Sequence, residues 1–113
     1  MPAARPLNEV KAELFKGLAH PLRIRILELL AADRELGVAR LLDATGLEPS
    51  HLSQHLRVLR GYGLVTSERR GSAVFYSLSH PSVGDLLTVA RTLLGDVLAA
   101  RRDEALLADA PPS

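Results

Sequence analysis

Between residues 38 and 78 the apolar period changes, and that change constrains the fold more than any other feature of the chain. Val38, Leu41 and Leu42 repeat at helical spacing up to Thr45, and Gly46 stops the repeat. Glycine ends helices because it enters left-handed backbone without a Cβ penalty. Leu47 is apolar inside the turn that follows. Pro49 then opens a second helix that runs to about Tyr62 and is closed by Gly61 and Gly63. Proline suits that opening because a first helical turn leaves its N–H groups unpaired anyway.

Past Gly63 the pattern is that of strands. Leu64–Arg70 and Ala73–Leu78 carry Val65, Thr66, Val74, Phe75 and Tyr76, with Gly71-Ser72 as a turn between them. Arg69 and Arg70 sit near the tip of this hairpin. Two helices joined by a tight glycine turn make a helix-turn-helix, and a hairpin directly behind the second helix is a wing.

The flanks are helical. Leu7, Val10, Leu14 and Leu18 set a first helix, with Asn8 or a neighbour as its cap. Pro21 starts a second, with Leu22, Ile26, Leu29 and Leu30 as its stripe to about Ala32. Asp33–Gly37 is expected as a polar turn. Behind Pro81 a last long helix runs from Ser82 to about Leu107, with Val83, Leu86, Leu87, Ala90, Leu93, Leu94, Val97 and Leu98 apolar. The expected order is helix, helix, helix, helix, hairpin, helix: a mainly α fold with a small β-hairpin. The domain spans 7–107, between Ala/Pro-rich tails at 1–6 and 108–113. Hydrophobic residues make up 47% and aromatics only 4%, so the core must be aliphatic and leucine-rich, which favours helices.

Several chemistries are excluded. The chain has no cysteine, hence no disulfide, thiolate metal site or cysteine nucleophile. It lacks a nucleophile elbow, a phosphate loop and a local carboxylate–histidine cluster, so it is not expected to be an enzyme. The start lacks the apolar stretch of a signal peptide and no segment is a membrane span, so a cytoplasmic protein without membrane contact is expected.

Charge is unevenly placed. Residues 1–48 balance. Residues 49–79 set Arg57, Arg60, Arg69 and Arg70 against Glu68 alone, and residues 80–113 are net acidic. A basic surplus confined to the second helix of the pair and its wing suits a polyanion. On the helix from Pro49, Leu52, Leu56 and Leu59 fall on one side, while Ser50, Ser53, Gln54 and Arg57 fall on the other. Glutamine pairs bidentately with adenine, arginine with guanine, and serine with base edges or phosphate. Pro49, Ser50, His51, Ser53, Gln54 and Arg57 are therefore the candidate groove-facing residues. Arg60, Arg69, Arg70 and Ser72 are the candidate backbone contacts, which position a protein without reading sequence. His51 and His55 have metal-ligand spacing, but His51 suits the sugar–phosphate backbone and His55 suits packing. His20, beside Pro21, suits a structural role.

Three segments resemble the ArsR/SmtB family of bacterial transcriptional regulators. They are Leu18-Ala19-His20-Pro21-Leu22-Arg23-Ile24-Arg25-Ile26-Leu27, then Ser53-Gln54-His55-Leu56 with Val58-Leu59-Arg60 and Gly63-Leu64-Val65, then Arg69-Arg70-Gly71-Ser72-Ala73-Val74-Phe75-Tyr76-Ser77-Leu78. The likeness covers roughly residues 10–100, in order. It implies a homodimer built through the first and last helices, here Leu7, Val10, Leu14, Leu86, Leu87, Ala90, Leu94 and Leu98. It implies that the helix from Pro49 enters the major groove of duplex DNA, and that the dimer represses by covering a promoter operator. Many relatives release DNA on binding metal. One family site uses cysteines where this chain has Leu36-Gly37-Val38-Ala39-Arg40-Leu41, and is absent. The other falls on His80, Ser82, Leu93 and Asp96; Leu93 cannot ligate, which leaves His80 and Asp96 as metal candidates, with Asp85, Asp103 and Glu104 nearby. The chain is thus expected to require no cofactor. A nonstandard nickel or zinc site would make it a metal-responsive sensor, and a winged helix that binds only protein is the alternative of another class. The effector is not legible.

Overall fold

The computed structural model describes residues 4–107. Of the tails expected at 1–6 and 108–113, residues 1–3 and 108–113 lie outside them, and Ala4–Pro6 lead into the first helix without regular structure. The elements are α1 (Leu7–Leu18), α2 (Pro21–Ala32), β1 (Leu36–Gly37), α3 (Val38–Thr45), α4 (Pro49–Gly61), β2 (Val65–Arg70), β3 (Ala73–Leu78) and α5 (Pro81–Leu107). The fold is mainly helical with one small antiparallel sheet in the order β1-β3-β2.

Local chemistry accounts for most boundaries. His20 is the N-cap of α2, and its Nδ1 accepts from the Leu22 N–H at 3.1 Å. That satisfies one of the donors a helix start leaves unpaired. Gly46 takes φ 68° and its N–H donates to the Leu42 carbonyl, ending α3. Thr45 Oγ donates to the Leu41 carbonyl at 2.6 Å and accepts from the Leu47 N–H, which tightens the turn into α4.

Three expectations are corrected. Asp33–Gly37 is not wholly a turn, because Leu36 and Gly37 pair with Tyr76 and Phe75 as a third strand. Two residues carry no period, but Leu36 is buried and its extended backbone finds partners on the free edge of β3. The cap of α1 is Pro6, with no side-chain hydrogen bond, so Asn8 lies inside the helix. Pro81 is the first residue of α5 rather than its predecessor.

The core is aliphatic throughout, and among the described residues no polar or charged side chain is buried in it. Ile26, Leu27 and Leu30 of α2 meet Leu41 of α3, Leu52, Leu56 and Leu59 of α4, and Leu64, Val65 and Val83. The stripe expected on α2 omitted Leu27, which is fully buried because α2 has neighbours on several sides. At the corner between α1 and α2, Arg23 donates from Nε to the Gly17 carbonyl at 2.7 Å and from Nη2 to the Lys16 carbonyl at 3.0 Å. A cation thus closes the C-terminal end of α1, where its dipole is negative.

Of the residues expected at a dimer contact, Leu14, Leu86 and Leu87 pack partly against the chain's own core. Leu7, Val10, Ala90, Leu94 and Leu98 are exposed, as are the large side chains of Phe15, Val89 and Leu93. Leu7 and Leu94 remain 66% and 57% accessible. Both α1 and α5 therefore leave apolar surface uncovered.

Candidate nucleic-acid interface

Helix α4 divides cleanly between core and solvent. Leu52, Leu56 and Leu59 are at most 2% exposed, which anchors the helix against α2. Each contributes about 1.5–3 kcal/mol by leaving water. Rotation of α4 about its axis is therefore strongly opposed. Pro49, Ser50, His51, Ser53, Gln54, Arg57 and Arg60 all stand in solvent. The structure thus gathers the expected polar residues of α4 on one accessible face.

The second half of this surface comes from the sheet. Strand pairing sets Val65, Ser67 and Arg69 of β2 against Leu78, Tyr76 and Val74 of β3. Alternation places these residues on one face of the hairpin. It is the face whose base, at Val65 and Leu36, enters the core. Tyr76 lines an open recess with Ser53, Arg57, Arg60 and Gly61. Arg57 and Arg60 of α4 thus share a recess with the sheet face that carries Arg69. Tyr76 was not among the expected contacts; the pleat and its register against Ser67 are what reveal it.

Arg70 occupies the opposite face with Glu68 and Phe75. Its Nη1 and Nη2 donate to the two carboxylate oxygens of Glu35, each at 2.6 Å, and Nη2 also reaches Glu68 at 2.9 Å. The guanidinium carbon lies 4.7 Å from the centre of the Phe75 ring. Hydrogen bonding to Glu35, then to Glu68, pushes the Arg70 pKa up from its already high value. Ser72 is exposed in the turn beside Gly71, which takes φ 63°.

The histidines divide by role. His20 and His55 pack ring to ring, with centroids 4.5 Å apart and planes tilted by 55°. Burial, followed by the nearness of His20, Arg23 and His51, lowers the His55 pKa from its ordinary value. His51 is exposed. His80 is also exposed, and its Nδ1 lies 3.1 Å from Ser79 Oγ, whose hydroxyl donates to the Gly63 carbonyl. Asp96 sits about 22 Å along α5 from the end nearest His80. One chain does not bring His80 and Asp96 together, and a site using both would have to be shared between chains. Among the described residues, no group of three or more histidine, aspartate or glutamate side chains is placed to hold a metal.

Two positioning contacts were not anticipated. Tyr62, the C-cap of α4, lies so close to α1 that a Cβ at Gly17 would meet its Cγ at 2.7 Å. Arg23 belongs to the resemblance, but its hydrogen bonds to the end of α1 need the fold to be seen.

Comparison with known proteins agrees with this geometry. Residues 20–67 match the model of the family described as bacterial regulatory protein, arsR family. The chain is 52% identical over 99 residues to the HTH-type transcriptional regulator Rv0081 of Mycobacterium tuberculosis, covering 87% of this chain and 86% of the relative. The crystal structure of Rv0081 superposes with a TM-score of 0.77, over 87% of this chain and 98% of that one. The transcriptional repressor PagR of Bacillus anthracis is 34% identical over 79 residues, 70% of this chain and 79% of PagR. The solution structure of the homodimeric winged helix-turn-helix DNA-binding domain of Mb0332 from Mycobacterium bovis gives a TM-score of 0.72 at 28% identity, covering 85% and 92% of the two chains. A winged helix-turn-helix with a polar, solvent-facing second helix, matched over most of its length by such regulators, places this chain in the arsR family as a DNA-binding regulator of transcription and not an enzyme.

Proposed function

We propose that the protein is a repressor that binds a promoter operator as a homodimer, each copy laying α4 in the major groove and its wing beside the phosphates. The observation that carries this is the division of α4, with three buried leucines behind Ser50, Ser53, Gln54 and Arg57. Gln54 is the foremost reader of a base edge, and Arg57 lies one helical turn further on. Arg60 and Arg69 meet phosphates and set the register. A winged helix serving only as a protein-interaction module would favour aromatic residues and methionine over serine on this face, and here Ser50 and Ser53 stand beside Gln54 and Arg57. The second copy covers the apolar faces of α1 and α5. A repressor of this kind works in the cytoplasm, where the chromosome is. DNA contact by these residues calls for no metal. A nickel or zinc effector would need ligands shared between copies, such as His80 of one with Asp96 of the other.

The test is gel retardation with the promoter of the protein's own operon. Arg60 and Arg69, counted in both copies, contribute a log–log salt slope of about −3.6. Gln54→Ala is expected to lose about 1–3 kcal/mol of discrimination between operator and random DNA, if its pair with the base is bidentate. Binding indifferent to salt, or unchanged discrimination in Gln54→Ala, refutes the proposal.

A further inference from the structure

We propose that Arg70 is a positioning residue, which fixes the angle of the wing through Glu35 instead of gripping a DNA phosphate. This presupposes the operator binding proposed above.

Arg69 and Arg70 are adjacent in sequence and not equivalent in space. Arg69 shares its sheet face with Tyr76, the face that meets the recess beside Arg57 and Arg60. Arg70 lies on the reverse face and reaches across β3. It passes over the Phe75 ring and ends on Glu35, in the segment between α2 and β1. The pair is a fork-to-fork contact with both distances at 2.6 Å, the geometry that only a planar guanidinium supplies. It joins the last residue of β2 to a residue 35 positions earlier, on the far side of a three-stranded sheet. Phe75, under the guanidinium, also lies 3.3 Å from where a Cβ on Gly37 would stand. The cation thus lies over a ring whose edge is close to Gly37 of β1.

Electrostatics speak against a phosphate at this point. Arg70 is matched by two carboxylates, Glu35 and Glu68, and the three together carry net negative charge. A phosphate arriving there would have to displace a carboxylate that already holds both arms of the fork. The side chains of Arg70 and Glu35 are 48% and 32% exposed, so the pair adds little to global stability. What it does restrict is the tip of the hairpin, which extends beyond the pairing of β3 with Leu36 and Gly37.

The experiment compares operator affinity across salt for the wild type and for Arg69→Gln, Arg70→Gln, Glu35→Gln, and the exchange of Glu35→Arg with Arg70→Glu. Arg69→Gln is expected to flatten the log–log slope by about 1.8 in a dimer. Arg70→Gln and Glu35→Gln are expected to weaken binding by the same factor, about three- to tenfold, with the slope unchanged. The exchange is expected to restore affinity. The proposal is overturned if Arg70→Gln flattens the slope as Arg69→Gln does, or if Glu35→Gln tightens binding, as it would if the carboxylate merely competed with a phosphate. Should the wild type ignore duplex DNA, the operator proposal falls alone, and hydrogen exchange at the wing amides of residues 66–77 decides the role of Arg70. Exchange is then expected to quicken in both single variants and recover in the exchanged pair, and rates equal to wild type in the single variants overturn it.

Discussion

Gly17→Ala isolates the contact between the first helix and the end of α4. Alanine is the better helix former by about 0.5–1 kcal/mol, so on propensity alone the change stabilises α1. Packing opposes this. The new methyl group would stand 2.7 Å from Cγ, 2.9 Å from Cδ2 and 3.0 Å from Cβ of Tyr62. A turn about χ2 leaves Cγ in place and a turn about χ1 leaves Cβ in place, so no swing of the ring clears both, and α1 must move away from α4. Overpacking of this kind costs about 1–3 kcal/mol. It matches or outweighs the propensity gain and leaves a net loss centred on about 1 kcal/mol, at most about 2.5 kcal/mol. Urea denaturation at a fixed protein concentration reads this loss as a lower midpoint. In a Tyr62→Gly background all three atoms are gone, and the same substitution is expected to stabilise by about 0.5–1 kcal/mol. The reversal of sign is the signature. A higher midpoint for Gly17→Ala alone, or an equal loss in both backgrounds, would show that the contact does not constrain α1.

Two further outcomes follow from the same structure. His55 has its pKa lowered by burial and by His20, Arg23 and His51, so the unfolded chain binds a proton there more readily than the folded one. Stability is therefore full above pH 6.5, falls as pH drops below it, and levels off once the folded pKa is passed. Thermal unfolding between pH 8 and 5 is expected to fall less steeply for His55→Gln than for wild type; parallel curves would exclude the effect. Leu94 is 57% exposed on α5, so Leu94→Glu is expected to keep its helical circular dichroism. Two leucines lost from a symmetric contact remove about 3–6 kcal/mol, weakening a dimer at least about a hundredfold in sedimentation equilibrium. A wild type that sediments as a monomer, or a variant that still dimerises as tightly, refutes the placement of the interface.

The parts legible in the sequence were those with a period or a special backbone angle. The stripe of Leu52, Leu56 and Leu59 requires a helix with one buried side, and Gly46 stands where a left-handed residue is needed. What escaped notice depends on pairs far apart in the chain. Strand β1 is two residues long, and its reason for existing is an edge of β3 some forty positions later. Gly17 and Tyr62 gave no common signal, because a small residue and an exposed-looking tyrosine carry no information until they are brought together. Arg69 and Arg70 look alike as tip arginines, although the strand period implies opposite faces. The missing piece was Glu35, which only the fold brings to the reverse side of the wing.

The segment that resembles the family most openly, Leu18 to Leu27, is not where α4 presents its polar face. It acts instead as a bracket for α4. His20 caps α2 and also packs against His55 in the middle of α4. Arg23 closes α1 by bonding the carbonyls of Lys16 and Gly17, and Gly17 is the residue that admits Tyr62 at the end of α4. The angle of α4 is therefore set at its middle and at its C-terminal end by one short corner between α1 and α2. Packed interiors do not deform smoothly. A displacement of α1, which also carries part of the uncovered apolar surface, must then either carry the end of α4 with it or break the contact with Tyr62. Whatever covers α1 thus bears on the contact of Gly17 with Tyr62, at the end of the helix that carries Ser53, Gln54 and Arg57.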